Sequence, residues 1–168
     1  MSNLFEALQA SGSFPTFISG VEKAGLVETL KGPGPLTVFV PTEEALTHVD
    51  QQKRDALFVR GGENLTRVMQ YHIAPGYYMT TDLLDHLFLK TLEGQRLILD
   101  SIITQLPFQE KVTAGSDASR YVIEQQVTHT IQQSLTVNQA TIVQANWRTD
   151  NGVIHTIDRV LFPLFLRV

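Results

Sequence analysis

The sequence has no cysteine among its 168 residues. Disulfide frameworks, thiolate metal sites and cysteine nucleophiles are therefore excluded together. Charge is also scarce: 18% of residues, with 13 Lys and Arg against 17 Asp and Glu for a net charge of -4. A mildly acidic chain carries no electrostatic footprint for nucleic acid. No stretch stays apolar for the roughly 18 residues that a transmembrane helix needs. Residues 1–6 lack a basic stretch followed by an apolar run, so no signal peptide is read there. The histidines, at positions 48, 72, 86, 129 and 155, show neither the two-histidine helical spacing of zinc hydrolases nor a companion carboxylate cluster. No metal site is expected. A Gly-x-Ser-x-Gly elbow is missing, and Gly32 and Gly34 lack the Lys-Ser/Thr ending of a phosphate loop. Neither a catalytic residue nor a cofactor is expected.

What remains is an apolar content of 43%, enough for one folded domain with its own core. The first half reads as helices. Leu4, Phe5 and Leu8 fall at helical spacing, as do Phe14, Phe17, Ile18 and Val21. Residues 36–40 are a short run of β-formers closed by Pro41, and Thr42 looks like a helix cap. Further helices are expected over residues 51–59 and 64–73, the second ended by Pro75-Gly76, with a capped turn at 80–84. After Phe88 the period falls from 3.6 to 2. Strands are expected at 89–92, 95–99, 135–137, 141–145 and 153–157, with a long one over 121–131. Glu93-Gly94 and Asn151-Gly152 read as hairpin turns that need positive φ. The order, helices and then antiparallel strands, defines an α+β domain.

Tyr71-His72 closes an apolar helix just before Pro75. No nucleophile or carboxylate sits in a matching motif, so His72 reads as a core histidine with hydrogen-bonded ring nitrogens. Asn146-Trp147-Arg148 places a large aromatic residue beside a cation near a loop, a common composition for a contact site.

Taken in order, these segments resemble the fasciclin I-type domain. Residues 37–45, TVFVPTEEA, are similar to its first signature. Residues 71–76, YHIAPG, followed by DLL at 82–84, resemble its tyrosine-histidine motif. VNQA at 137–140 and NGVIHTIDRVL at 151–161 resemble its second signature. The resemblance implies a single domain over residues 1–168, with N-terminal helices packed on a β-wedge, or sandwich, of two sheets. An insertion at about 101–134 has no counterpart in the minimal domain. Tyr71, His72, Asn151, Gly152 and His155 would be its structural or adhesion motif.

The resemblance further implies a non-enzymatic adhesion or binding module for a protein or a cell-surface or matrix component. Location would be the cell surface, the periplasm or outside the cell. The alternative is a carrier of an apolar small ligand such as a carotenoid or lipid. Where animal matrix members have an Asp-Ile pair implicated in integrin recognition, this chain has Asn146-Trp147, so integrin-type binding is not expected. Partner contacts are expected instead from Asn146, Trp147 and Arg148 and from Tyr121 and Ile123 in the insertion. A homodimer through the insertion is the specific form of that expectation.

Overall fold

The computed structural model describes residues 2–107 and 129–163, with side chains from 102–107 and 129–134 left aside. The chain divides into two compact units, residues 1–100 with 135–168, and residues 101–134.

Three helices open the chain: α1 (Leu4–Ser11), α2 (Pro15–Lys23) and α3 (Val27–Lys31). Asn3 caps α1 by accepting from the Glu6 N–H at 2.9 Å, and Gly12 ends it at φ 68°. Leu4, Phe5 and Leu8 bury one face of α1, and Phe17 and Val21 one face of α2. Strand β1 (Leu36–Pro41) follows, with all six residues buried. The Thr42 hydroxyl accepts from Ala45 N–H at 3.1 Å and starts α4 (Glu43–Thr47). The helix expected over 51–59 is α5 (Gln51–Arg54), widening into a π-helical turn at Asp55–Val59.

Helix α6 (Glu63–Tyr71) stops two residues earlier than its period suggests. Ile73–Pro75 is instead a strand, β2, pairing antiparallel with β1 through Leu36↔Pro75 and Val38↔Ile73. Pro75 disfavours helical backbone at Ala74, and the open edge of β1 supplies partners for the extended chain. A short α7 (Thr80–Leu83) then leads to β3 (Phe88–Lys90) and β4 (Arg96–Pro107). Gly94, at φ 107°, makes the turn between them. The last strands are β5 (His129–Val137), β6 (Ala140–Thr149) and β7 (Gly152–Ile157). The part of the expected 121–131 strand before His129 lies outside the described residues.

The strands link in one hydrogen-bonded order, β2-β1-β7-β6-β5-β4-β3, mixed because β1 and β7 run parallel. Register shifts between Ile142, Gln144 and Trp147 interrupt the β6–β7 ladder and bend β6. Two apolar clusters fill the interior. One joins the helices to β1 and includes Leu4, Phe17, Leu57, Met69 and Ile154. The other, with Phe39, Tyr71, Leu97, Val137 and Ile157, lies among the strands. The architecture is α+β, as the change of period requires. Among the described residues every helix precedes Phe88.

Candidate functional site

The Tyr71-His72 pair sits where α6 ends and β2 begins. His72 is 1% exposed. Its Nδ1 lies 2.7 Å from the Val68 carbonyl, and its Nε2 lies 3.0 Å from the Leu161 backbone N–H. A carbonyl can only accept and an amide N–H can only donate, so the proton sits on Nδ1 and Nε2 is bare. The neutral ring thus clasps helix α6 to the segment after β7. Burial pushes its pKa down to about 4, opposed only partly by the Val68 carbonyl.

His155, on β7, is fully buried and stacks on Phe39 at 5.6 Å between ring centroids. It uses the other tautomer. Its Nε2 donates to the Tyr78 carbonyl at 2.7 Å, and its Nδ1 accepts from the Asn146 N–H at 3.2 Å. Burial lowers this pKa as well, with the Tyr78 carbonyl opposing. The two histidines are buried clasps facing different elements, and the structure does not bring them together into one cluster. No group of His, Asp and Glu among the described residues could hold a metal ion.

Tyr71 reaches from the same helix end into the strands. Its hydroxyl donates to the Arg96 carbonyl at 2.9 Å and accepts from Asn138 Nδ2 at 2.7 Å. Burial raises its pKa, the Asn138 hydrogen bond lowers it, and nearby Glu93 raises it further. Asn138 in turn accepts from the Ile98 N–H at 2.6 Å through Oδ1. Asn138 and Gln139, at φ 47° and 71°, form the tight turn from β5 to β6. Sequence reasoning missed Asn138 as a structural partner; two turn-tolerant residues between apolar runs were the available signal. Replacing Tyr71 by Phe should cost about 1–2 kcal/mol, by leaving Asn138 Nδ2 and the Arg96 carbonyl unpaired. Urea melts check this, and an unchanged midpoint would contradict it.

Asn151-Gly152 requires a correction. Neither residue has positive φ. Asn151 is there for its amide: Oδ1 accepts from Leu4 N–H at 2.9 Å, and Nδ2 donates to the Leu30 and Gly32 carbonyls at 2.6 and 2.7 Å. One side chain thereby ties the start of α1 and the end of α3 to the β6–β7 turn. Gly152 is there for clearance, because a Cβ would lie 2.0 Å from the Leu36 carbonyl oxygen on β1.

The contact candidates separate. Asn146 sits at φ 62° in the β6 irregularity, and both ends of its amide are taken by Thr80, N–H to Oδ1 at 2.8 Å and Nδ2 to Oγ1 at 2.9 Å. Trp147 is half-buried against the helical cluster, whereas Arg148 is exposed. Tyr121 and Ile123 lie outside the described residues. Apart from these, an open groove of about 880 Å³ is walled by Tyr71, Phe88, Ile98, Asn138 and Phe162. Ile98 is 66% exposed and Phe88 46%.

Two buried motif histidines, a buried turn asparagine and a parallel β1–β7 contact together define a fold-family. The Fasciclin domain family model matches residues 12–163, and the chain belongs to that family. Human periostin is 27% identical over 163 residues, which are 96% of this chain but 16% of periostin. The uncharacterized protein sll1735 of Synechocystis is 27% identical over 161 residues, 96% of this chain and 98% of that protein. The FAS1 domain pair of the insect cell adhesion molecule Fasciclin I shares the fold. Its TM-score is 0.71 at 13% identity, over 97% of this chain and 51% of that one.

Proposed function

We propose that the chain is a non-enzymatic binding module that recognises a protein or a cell-surface component. The observation that carries this reading is the commitment of the motif side chains. The polar atoms of Tyr71, His72, Asn151 and His155 are paired within the domain, and no buried side-chain N or O among the described residues is left without a partner. A general base must reach a substrate proton, and these groups are occupied. The likeness to a cell adhesion molecule supports the same reading, by analogy of fold.

Recognition then falls to residues the core does not need. Exposed Arg148 is one. The 101–134 insertion, with Tyr121 and Ile123, is another, since long segments outside the core are disproportionately functional. A homodimer through the insertion belongs to this proposal. The test compares the intact chain with one carrying a short turn in place of residues 103–132 together with Arg148→Glu. Beads coated with each are settled on cells of the source organism, and both proteins are sedimented. The expected result is a folded variant whose beads wash off and whose dimer is lost. Retention and assembly equal to the intact chain would overturn the reading.

A further inference from the structure

Both residues of the Asn151-Gly152 turn make contacts that depend on their identity. Asn151 is 8% exposed, with Oδ1 on the Leu4 N–H and Nδ2 on the Leu30 and Gly32 carbonyls. Any Cβ on Gly152 would meet the Leu36 carbonyl oxygen at 2.0 Å. The fold thereby calls for an asparagine followed by a glycine, and the sequence contains one such pair. Asparagine is a thermolabile residue, and most so before glycine. A glycine has no side chain to keep its nitrogen away from the asparagine side-chain carbonyl carbon. The tie that holds α1 and α3 to the β6–β7 turn is thus built on the most reactive asparagine linkage in the chain.

We infer that Asn151 is a deamidation site, closed in the folded domain and open to irreversible change whenever the domain unfolds. In the reaction the Gly152 backbone nitrogen gives its proton to solvent base and bonds to Asn151 Cγ. The Cγ–Nδ2 bond breaks, and Nδ2 leaves as ammonia with a proton returned by water. A second water opens the cyclic imide to aspartate or isoaspartate. In the folded chain the leaving nitrogen is held by two carbonyls at 2.6 and 2.7 Å. The backbone is held as well: the Asn151 carbonyl accepts from the Leu36 N–H at 3.0 Å, and the Gly152 carbonyl from Thr149 Oγ1 at 3.0 Å. The Asn151 carbonyl oxygen also packs so close to Gly34 that a Cβ there would lie 2.2 Å from it. Ring closure therefore waits until the turn parts from α1, α3 and β1. Leu4 and Leu30 are fully buried in the helical cluster, so this is a cooperative opening and not a frayed loop. The product does not close again. A carboxylate offers no donor to the Leu30 and Gly32 carbonyls and repels both, and isoaspartate adds a methylene to a backbone with no clearance at Gly152. Transient unfolding becomes permanent loss, and the stability of the domain sets its chemical lifetime.

The test incubates the full chain in warm alkaline buffer over a series of urea concentrations below and above the unfolding midpoint. Peptide mapping follows the asparagine, aspartate and isoaspartate forms at position 151. Opening and closing are fast beside this chemistry, so the rate should follow the open population measured at each urea concentration. Tyr71→Phe touches none of the Asn151 contacts. It should nevertheless speed deamidation by the factor by which it lowers the folding equilibrium constant, about 5–30-fold. Chain deamidated in urea and then diluted should stay unfolded or melt at a clearly lower urea midpoint. Equal rates below and above the midpoint would overturn the inference, as would a rate in Tyr71→Phe that ignores its loss of stability. So would a deamidated product that regains the midpoint of the intact chain.

Discussion

Replacing Asn151 by Ala should destabilise the domain by roughly 3–4 kcal/mol, a large fraction of the stability of a domain this size. The substitution removes one acceptor and two donors at a buried point. Leu4 N–H and the carbonyls of Leu30 and Gly32 lose their partner at once, and at buried Leu4 and Leu30 no solvent replaces it. Leu4 belongs to the helical cluster, so the loss also loosens the packing of α1. Asn151→Asp should be worse at neutral pH than at acid pH, because a carboxylate would face two carbonyl oxygens. Denaturant melts at pH 7 and pH 4 read both effects. A loss below 1 kcal/mol for the Ala variant would show that the α1–α3 tie is not a structural necessity.

Acid should weaken the fold through His72 by about 3 kcal/mol. The folded-state pKa is about 4, below the ordinary 6.5 of the unfolded chain. Above pH 6.5 neither state is protonated and the stability is intact. As pH falls from 6.5 to 4 the unfolded state takes a proton that the folded state refuses, and stability falls. Below about 4 the folded state protonates too and the loss levels off. A proton on Nε2 would face the Leu161 N–H, two donors nose to nose. His155, also lowered, adds a loss of the same sign. Urea midpoints measured from pH 7 to pH 4 should show the slope, and His72→Gln should flatten it. An identical slope in that variant would assign the acid sensitivity to other groups.

The sequence exposed the scaffold better than the clasps. β1 was legible because six buried residues leave an apolar run with no polar face, and the change of period after Phe88 marks the passage from helices to strands. β2 was not legible, because Ile73 continues the helical spacing of Leu65 and Met69 while its strand partners lie on β1. The tyrosine-histidine segment could be placed at a helix end from Pro75 alone. Its bonding could not, since Leu161 is 89 residues away. Asn151 was readable only as a turn residue. Its partners Leu4 and Leu30 lie 147 and 121 positions back, and no local pattern records them. Asn146 was readable as exposed, but its engagement with Thr80, 66 positions away, was not.

The central claim is that the motif histidines are neutral internal clasps and not reactive or partner-binding groups. Long-range ¹⁵N–¹H correlation of the imidazole rings in the intact chain tests it directly. At pH 7 the account predicts a single proton on Nδ1 of His72 and on Nε2 of His155, and a His72 ring that stays mostly neutral as the pH is lowered to 5. Both rings titrating near 6.5, or either showing the averaged signal of a solvent-exposed imidazole, would contradict it.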